Sequence, residues 1–157
     1  MGHKVHPRIH RTQVIYTWDS RWFGKNSEYK TYVEQDIRIR EFLMKKCKDA
    51  HIDAISVERS PKHMMITILA AKPGFIIGRG GQGLEDIRKQ IERQFLKMKQ
   101  KVKLNIQEIS SPALSAAVVA QTMVSEIERR IPFRRVMKQA IERVMKAGGL
   151  GIKVKMA

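Results

Sequence analysis

Cysteine is nearly absent from this 157-residue sequence: Cys47 stands alone. No disulfide can therefore close within the chain, and the place of Cys47 among periodic apolar positions gives it a packing role and points to a reducing compartment. Long apolar runs are missing too, since no stretch approaches the roughly 20 residues that a membrane span needs. The opening Met1-Gly2-His3-Lys4-Val5-His6 has neither the apolar core of a signal peptide nor the Ser or Thr of a myristoylation site. The expected location is the cytoplasm, with no membrane partner. Acidic residues are also scarce, 15 against 31 Lys plus Arg, for a formal net charge of +16. An excess of that size speaks to partners rather than to fold, and nucleic acid is the commonest partner of so basic a chain. Paired carboxylates, Ser-His-Asp and Cys-His constellations are lacking, so no catalytic residue, cofactor or small-molecule substrate is expected. His3, His6 and His10 have no cysteine or carboxylate beside them and Pro7 interrupts any helical face, which argues against a metal.

What is present is enough apolar residue, 43%, to bury a core in one compact domain or two small ones. Residues 1–26 show no sustained period. They read as an extended basic and aromatic arm in which His3, Lys4, His6, Arg8 and Arg11 suit RNA phosphates. Trp18 and Trp22 either stack on bases or anchor the arm to the protein's own core. From Tyr32 the positions Val33, Ile37, Leu43, Met44 and Cys47 predict a helix to about Lys48. Residues 52–59 and 64–70 predict a hairpin about Ser60-Pro61-Lys62, the second strand apolar on both faces and hence central. Leu84, Ile87, Ile91, Phe95 and Met98 form the stripe of an amphipathic helix. Val102, Leu104 and Ile106 alternate with Lys103, Asn105 and Gln107 as a strand with one wet face. Ser110-Ser111-Pro112 marks a boundary, with Ser111 as a helix cap and Pro112 in the first helical position. Two helices follow, one lined by Leu114, Ala117, Val118, Val124, Ile127 and Ile131, the other by Phe133, Val136, Met137, Ala140, Ile141 and Val144. Pro132 separates them and Gly148-Gly149 ends the second. Ile152, Val154 and Met156 predict a last strand that needs a partner.

The most informative segment is Lys72-Pro73-Gly74-Phe75-Ile76-Ile77-Gly78-Arg79-Gly80-Gly81-Gln82-Gly83. Glycine tolerates positive φ and lets backbone amides approach a phosphodiester, while the following helix adds the positive end of its dipole. Gly78, Gly80 and Gly83 also satisfy the G-x-G-x-x-G fingerprint of dinucleotide enzymes. That fingerprint expects its first glycine at the end of the strand, whereas residues 71–77 intervene here with room for a short helix. One β-to-β crossing is also too little for a doubly wound sheet, so a nucleotide-dependent oxidoreductase is disfavoured.

The order helix, strand, strand, short helix, G-x-x-G, long helix, strand resembles the KH RNA-binding domain of type II. Ile76-Ile77-Gly78-Arg79-Gly80-Gly81 matches the I-I-G-x-x-G signature of that family. The resemblance implies an α+β fold, a KH unit over residues 27–109 with a three-stranded sheet. It further implies a clamp on about four nucleotides of single strand: Gly78, Gly80 and Gly81 give close approach, Arg79 and Lys72 supply charge, and Ile76 and Ile77 either floor a groove for bases or pack in the core.

Three further segments resemble the S-three family of small-subunit ribosomal proteins: Met1-Gly2-His3-Lys4-Val5-His6-Pro7 with Trp18-Asp19-Ser20-Arg21-Trp22, then Arg129-Arg130-Ile131-Pro132-Phe133-Arg134-Arg135-Val136-Met137-Lys138, then Gly151-Ile152-Lys153-Val154. This resemblance implies a structural protein of the subunit head that binds 16S-type ribosomal RNA and neighbouring ribosomal proteins. It also implies that Arg134, Arg135 and Lys138 meet messenger RNA where message is drawn in and unwound. On a helical wheel these three lie within about 100° of one another, opposite the apolar stripe. The chain departs from the family at Ile9, Thr12 and Gln13, and residues 110–157 are expected to be a truncated second domain of two helices and one strand. A free-standing KH regulator or assembly factor is the alternative.

Overall fold

The computed structural model describes residues 2–98 and 100–156. After an exposed, irregular start come a short helix α1 (Pro7–His10) and a two-residue strand β1 (Ser20–Arg21), so the arm is less extended than expected. Helix α2 spans Asn26–Lys46 and is followed by a 3-10 turn, Lys48–Ala50. It begins earlier than periodicity predicts because its first turns carry no apolar stripe. Tyr29 and Tyr32 instead pack on Trp22, ring centroids 5.4 and 5.5 Å away. Its inward face also differs: Asp36, Ile39 and Leu43 are buried, while Ile37 and Met44 are exposed.

Strands β2 (Ile52–Arg59) and β3 (His63–Ala70) form the expected antiparallel hairpin, closed by Ser60 N–H donating to His63 O at 2.8 Å. The chain then passes through α3 (Gly74–Ile77), a 3-10 turn (Arg79–Gly81) and α4 (Gln82–Gln94) to β4 (Lys101–Glu108), which pairs parallel to β3 in register along its whole length. The sheet order is β1-β2-β3-β4, with β1 parallel to β2, so the arm adds an edge strand to the three predicted. β3 is central as expected, yet only Met64, Ile66, Ile68 and Ala70 on one face are buried; its other face is half-covered. Ile39 and Leu43 from α2 and Ile87 and Ile91 from α4 cover the buried face, with Val57 and Val102. Each such side chain contributes about 1.5–3 kcal/mol relative to exposure. α4 stops at Gln94: Lys97 and Met98 take positive φ, Met98 points to solvent, and Leu96 enters the core in its place.

A 3-10 turn (Pro112–Leu114) starts the second unit, then α5 (Ala116–Glu128) and α6 (Phe133–Lys146). Ser115 rather than Ser111 caps α5, accepting from Val118 N–H at 3.3 Å; Ser111 opens only the 3-10 turn. Pro132 separates the helices, and its carbonyl accepts the Arg135 and Val136 amides. Met123 of α5 meets Val136 and Ala140 of α6, while Leu114, Val124 and Ile127 remain partly exposed. Residues 150–156 run beside them with Ile152, Val154 and Met156 half-buried and Lys153 and Lys155 outward, but no strand forms. The alternation is that of a strand; the ladder partner that would make it one is lacking among the described residues.

Candidate nucleic-acid interface

The chain leaves β3 tied to the 3-10 turn before β2: Ala71 N–H donates to His51 O and Lys72 N–H to Ala50 O, both at 3.1 Å. One turn of α3 follows, ended by Gly78 N–H donating to Gly74 O at 3.0 Å. Gly78 (φ 70°), Gly80 (φ 60°) and Gly81 (φ 79°) then reverse the chain. A Cβ on Gly80 or Gly81 would meet nothing within 4 Å, so these two glycines are set by backbone angle and leave open space before the turn. Gly83 is set by packing, since its Cβ would lie 2.8 Å from Ile76 O and keep the first turn of α4 off α3. No side chain caps α4. The Gln82 amide closes the preceding 3-10 turn on Arg79 O, and the amides after it carry the positive end of a 13-residue helix toward a ligand.

Lys72, Ile77, Arg79 and the three turn glycines are accessible around this point, and Arg79 joins no ion pair among the described residues. Ile76 is placed differently. It is 1% exposed within the core under the sheet, so of its two open readings packing holds and no face remains for a base. Ile77 is 40% exposed.

The arm divides. His3, Lys4 and His6 are exposed, but Arg8 pairs with Asp19 and stacks over Tyr16, and Arg11 donates to Pro7 O at 3.2 Å. Two of these five residues are thus engaged by the arm itself. The tryptophans divide likewise. Trp22 Nε1 donates to Asp36 at 2.8 Å and anchors the arm, while Trp18 stays 59% exposed. On α6, Arg134, Arg135 and Lys138 are exposed opposite the buried Val136, Ala140 and Val144, and the Arg134 guanidinium lies 5.8 Å from the Phe133 ring centroid. Arm, turn and α6 cluster sit on three separate elements and make three surfaces.

Sequence reasoning missed the network that fixes the arm. Asp36, 4% exposed, accepts from Ser20 Oγ at 3.0 Å, Trp22 Nε1, and Arg59 Nε at 3.0 Å, and Arg59 lies 4.8 Å from the Tyr32 ring centroid. Arg40 completes it by donating to Ser20 Oγ at 2.9 Å and Asp19 O at 3.1 Å. A carboxylate in the inward stripe of α2 must find a cation, but that stripe emerges only once Ile39 and Leu43 are seen to define the buried face. His51 also went unremarked. It holds φ 51°, and burial, then Lys72, press its pKa below 6.5 against the pull of Asp49. Burial raises the Cys47 thiol, with Lys46 opposing, which keeps it protonated and unreactive. No described helix is long and apolar enough to cross a membrane.

A sequence profile of the KH domain family matches residues 38–114. Proteins named small ribosomal subunit protein uS3 align over nearly the whole chain. That of Caldicellulosiruptor bescii is 41% identical over 98% of this chain and 68% of its own length. That of Lactobacillus helveticus is 44% identical over 98% and 67%, and that of Finegoldia magna 43% over 98% and 62%. The chain spans about two thirds of the length of these relatives. A parallel crossover that carries a G-x-x-G turn on a KH sheet, together with such identity from the arm to the final residues, has one reading: the chain belongs to the uS3 family of small ribosomal subunit proteins.

Proposed function

We propose that this chain works by holding RNA in place and not by catalysing a reaction: an RNA-binding protein of the small ribosomal subunit in the cytoplasm, whose KH unit (residues 27–109) grips 16S-type ribosomal RNA. The observation that carries this reading is the run of three positive-φ glycines opening onto the uncapped N-terminus of α4 beside Arg79. Backbone amides there can bond phosphate oxygens directly, and Gly78, Gly80 and Gly81 present no side chain that would hold a strand away. Lys72 adds charge beside it, and the exposed His3, Lys4 and His6 of the arm offer RNA a separate surface. The second unit (residues 110–157) offers Arg134, Arg135 and Lys138 to messenger RNA at the entrance of the subunit. Cations spaced along a rigid helix need only grip single-stranded phosphates as message is pulled past, so unwinding there requires no hydrolysis by this protein. Neighbouring ribosomal proteins complete its surroundings.

The test is cosedimentation of the tagged chain with small subunits through a high-salt gradient, compared with an Arg134→Ala/Arg135→Ala/Lys138→Ala variant. Both are expected to remain bound, with the variant impaired only on structured messages. A chain that washes off completely would mean a free KH-type regulator or assembly factor, because binding by phosphate contacts alone weakens by about 0.7–0.9 of a power of ten per tenfold salt for each phosphate neutralised.

A further inference from the structure

At the opposite end of α3 from the glycine turn lies a surface of which the preceding reading uses Lys72 alone. The end of α2, the Lys48–Ala50 turn, the start of α3 and one flank of α5 enclose an open cleft of about 590 Å³. Its floor is apolar, with Ile52 and Val124, and its rim carries Lys45, Lys72 and Arg129. Of the carboxylates on the same rim, Glu128 is held by Lys48 at 2.7 Å, which leaves Asp49 against three cations. The two units are joined across this cleft by that ion pair and by Gln121 Nε2 donating to Ile52 O at 2.7 Å.

Phe75 stands at the lip. It is 68% exposed, with the Lys72 ammonium 5.9 Å from its ring centroid. Packing does not account for it, because the neighbouring Ile76 already supplies the core contact of α3. An accessible ring beside convergent cations is the combination by which proteins hold unpaired nucleotides, the ring taking the base and the cations the phosphate. α3 is about 6 Å long, short enough for one strand to reach both of its ends.

We propose that this cleft is a second RNA subsite, taking one unpaired nucleotide of the strand gripped by the glycine turn, its base stacked on Phe75 and its phosphate between Lys72 and Arg129. The proposal rests on the turn binding RNA, and the experiment separates the two. Fluorescence anisotropy of the full chain would be measured with unstructured oligouridylates of about four and about eight nucleotides, the shorter filling the turn alone. Phe75→Ala is expected to weaken the longer oligomer about tenfold while leaving the shorter unchanged, and Phe75→Tyr to restore it. Lys72→Gln/Arg129→Gln is expected to lower the log–log salt slope for the longer oligomer by about 0.7, the share of one phosphate. Arg79→Asp/Gly80→Asp, a change that αL backbone tolerates, is expected to weaken both lengths. Equal binding by Phe75→Ala and the parent chain at both lengths, or equal losses at both, overturns the subsite. So does an acidic peptide that binds in a Phe75-dependent way where RNA does not. If instead the turn variant matches the parent on the shorter oligomer, the turn reading fails, and a Phe75 effect confined to the longer one still upholds the cleft.

Discussion

The KH unit and the helical unit after it are built on opposite principles. The first closes on itself: three strands of eight residues pair along their length with one register shift, between Ile52 and Ala54, α2 and α4 cover one face, and Ile39, Leu43, Val57, Ile66, Ile68 and Ile91 are sealed to 0% exposure. The second has a small core of Met123, Val136 and Ala140. It leaves Leu114, Val124 and Ile127 facing an open groove along residues 151–156. A closed unit holds a site by its own stability, whereas an open one must borrow order from what it docks against. The borrowed contacts are visible at the junction: Ser115 Oγ donates to Asp53 at 2.6 Å, Gln121 to Ile52 O, and Lys48 pairs with Glu128. The G-x-x-G turn therefore sits on the rigid part, and the basic face of α6 on the part whose order depends on neighbours.

The strongest way to break this contrast is to open the closed unit at its buried charge. The side chains of Arg59 and Asp36 are only 3% and 6% exposed. Asp36→Ala would leave the Arg59 guanidinium without its counter-ion and free Ser20 and Trp22 from the arm's anchor. The expected loss is about 3–5 kcal/mol in urea unfolding. The corresponding test in the second unit is Glu126→Ala, which removes the pair with Arg143 at 2.7 Å. Arg143 is half exposed there, and solvent screening limits the expected loss to about 1 kcal/mol or less. Equal losses at the two sites would abolish the distinction.

Most of the KH unit was legible because its signals are local. The β2 boundaries follow from a run of branched residues ended by a turn, and the glycine turn from residues that few other backbones require. What stayed hidden depended on partners far along the chain. The first turns of α2 are polar, and Trp22 from the arm together with Arg59 from β2 explains why they are ordered. The carboxylate of Asp36 reads as surface until Arg59, 23 residues on, is placed against it. Leu96 could not displace Met98 from the predicted stripe until α4 was seen to stop short at positive φ. The last segment shows the converse: its alternation was legible, and half-burial of Ile152, Val154 and Met156 follows it, but a strand is a relation between two segments and the pattern supplies one. At the site, glycine conformation and exposed cations could be read directly, while burial of Ile76 and pairing of Arg8 needed tertiary contacts.

A smaller effect would sharpen the idea of borrowed order. Ser115→Ala/Gln121→Ala removes the α5 cap and both hydrogen bonds to β2, with the cap alone worth about 1 kcal/mol. Hydrogen exchange should quicken across α5 and α6 while amides of β2, β3 and β4 keep their protection. If the strands exchange faster by the same factor, the two units unfold as one and the open unit is not the dependent partner.

The smallest effect falls at the junction itself, through His51. Burial and the Lys72 charge hold its pKa below the ordinary 6.5, only partly opposed by Asp49. On acidification the unfolded chain therefore takes up a proton before the folded one does. The stability that goes with a neutral His51 is full above pH 6.5 and is lost as pH falls through the lower folded value. The urea midpoint should decline between pH 7 and pH 5, and part of that decline should vanish in His51→Asn, a residue that tolerates the same positive φ. Bound phosphate beside Lys72 would cancel the second of the two causes and raise the folded pKa toward its ordinary value. The decline should therefore shrink when a saturating unstructured oligonucleotide is present, beyond the uniform gain that binding gives at every pH. An unchanged slope with the oligonucleotide bound would mean that its phosphates lie elsewhere than at Lys72.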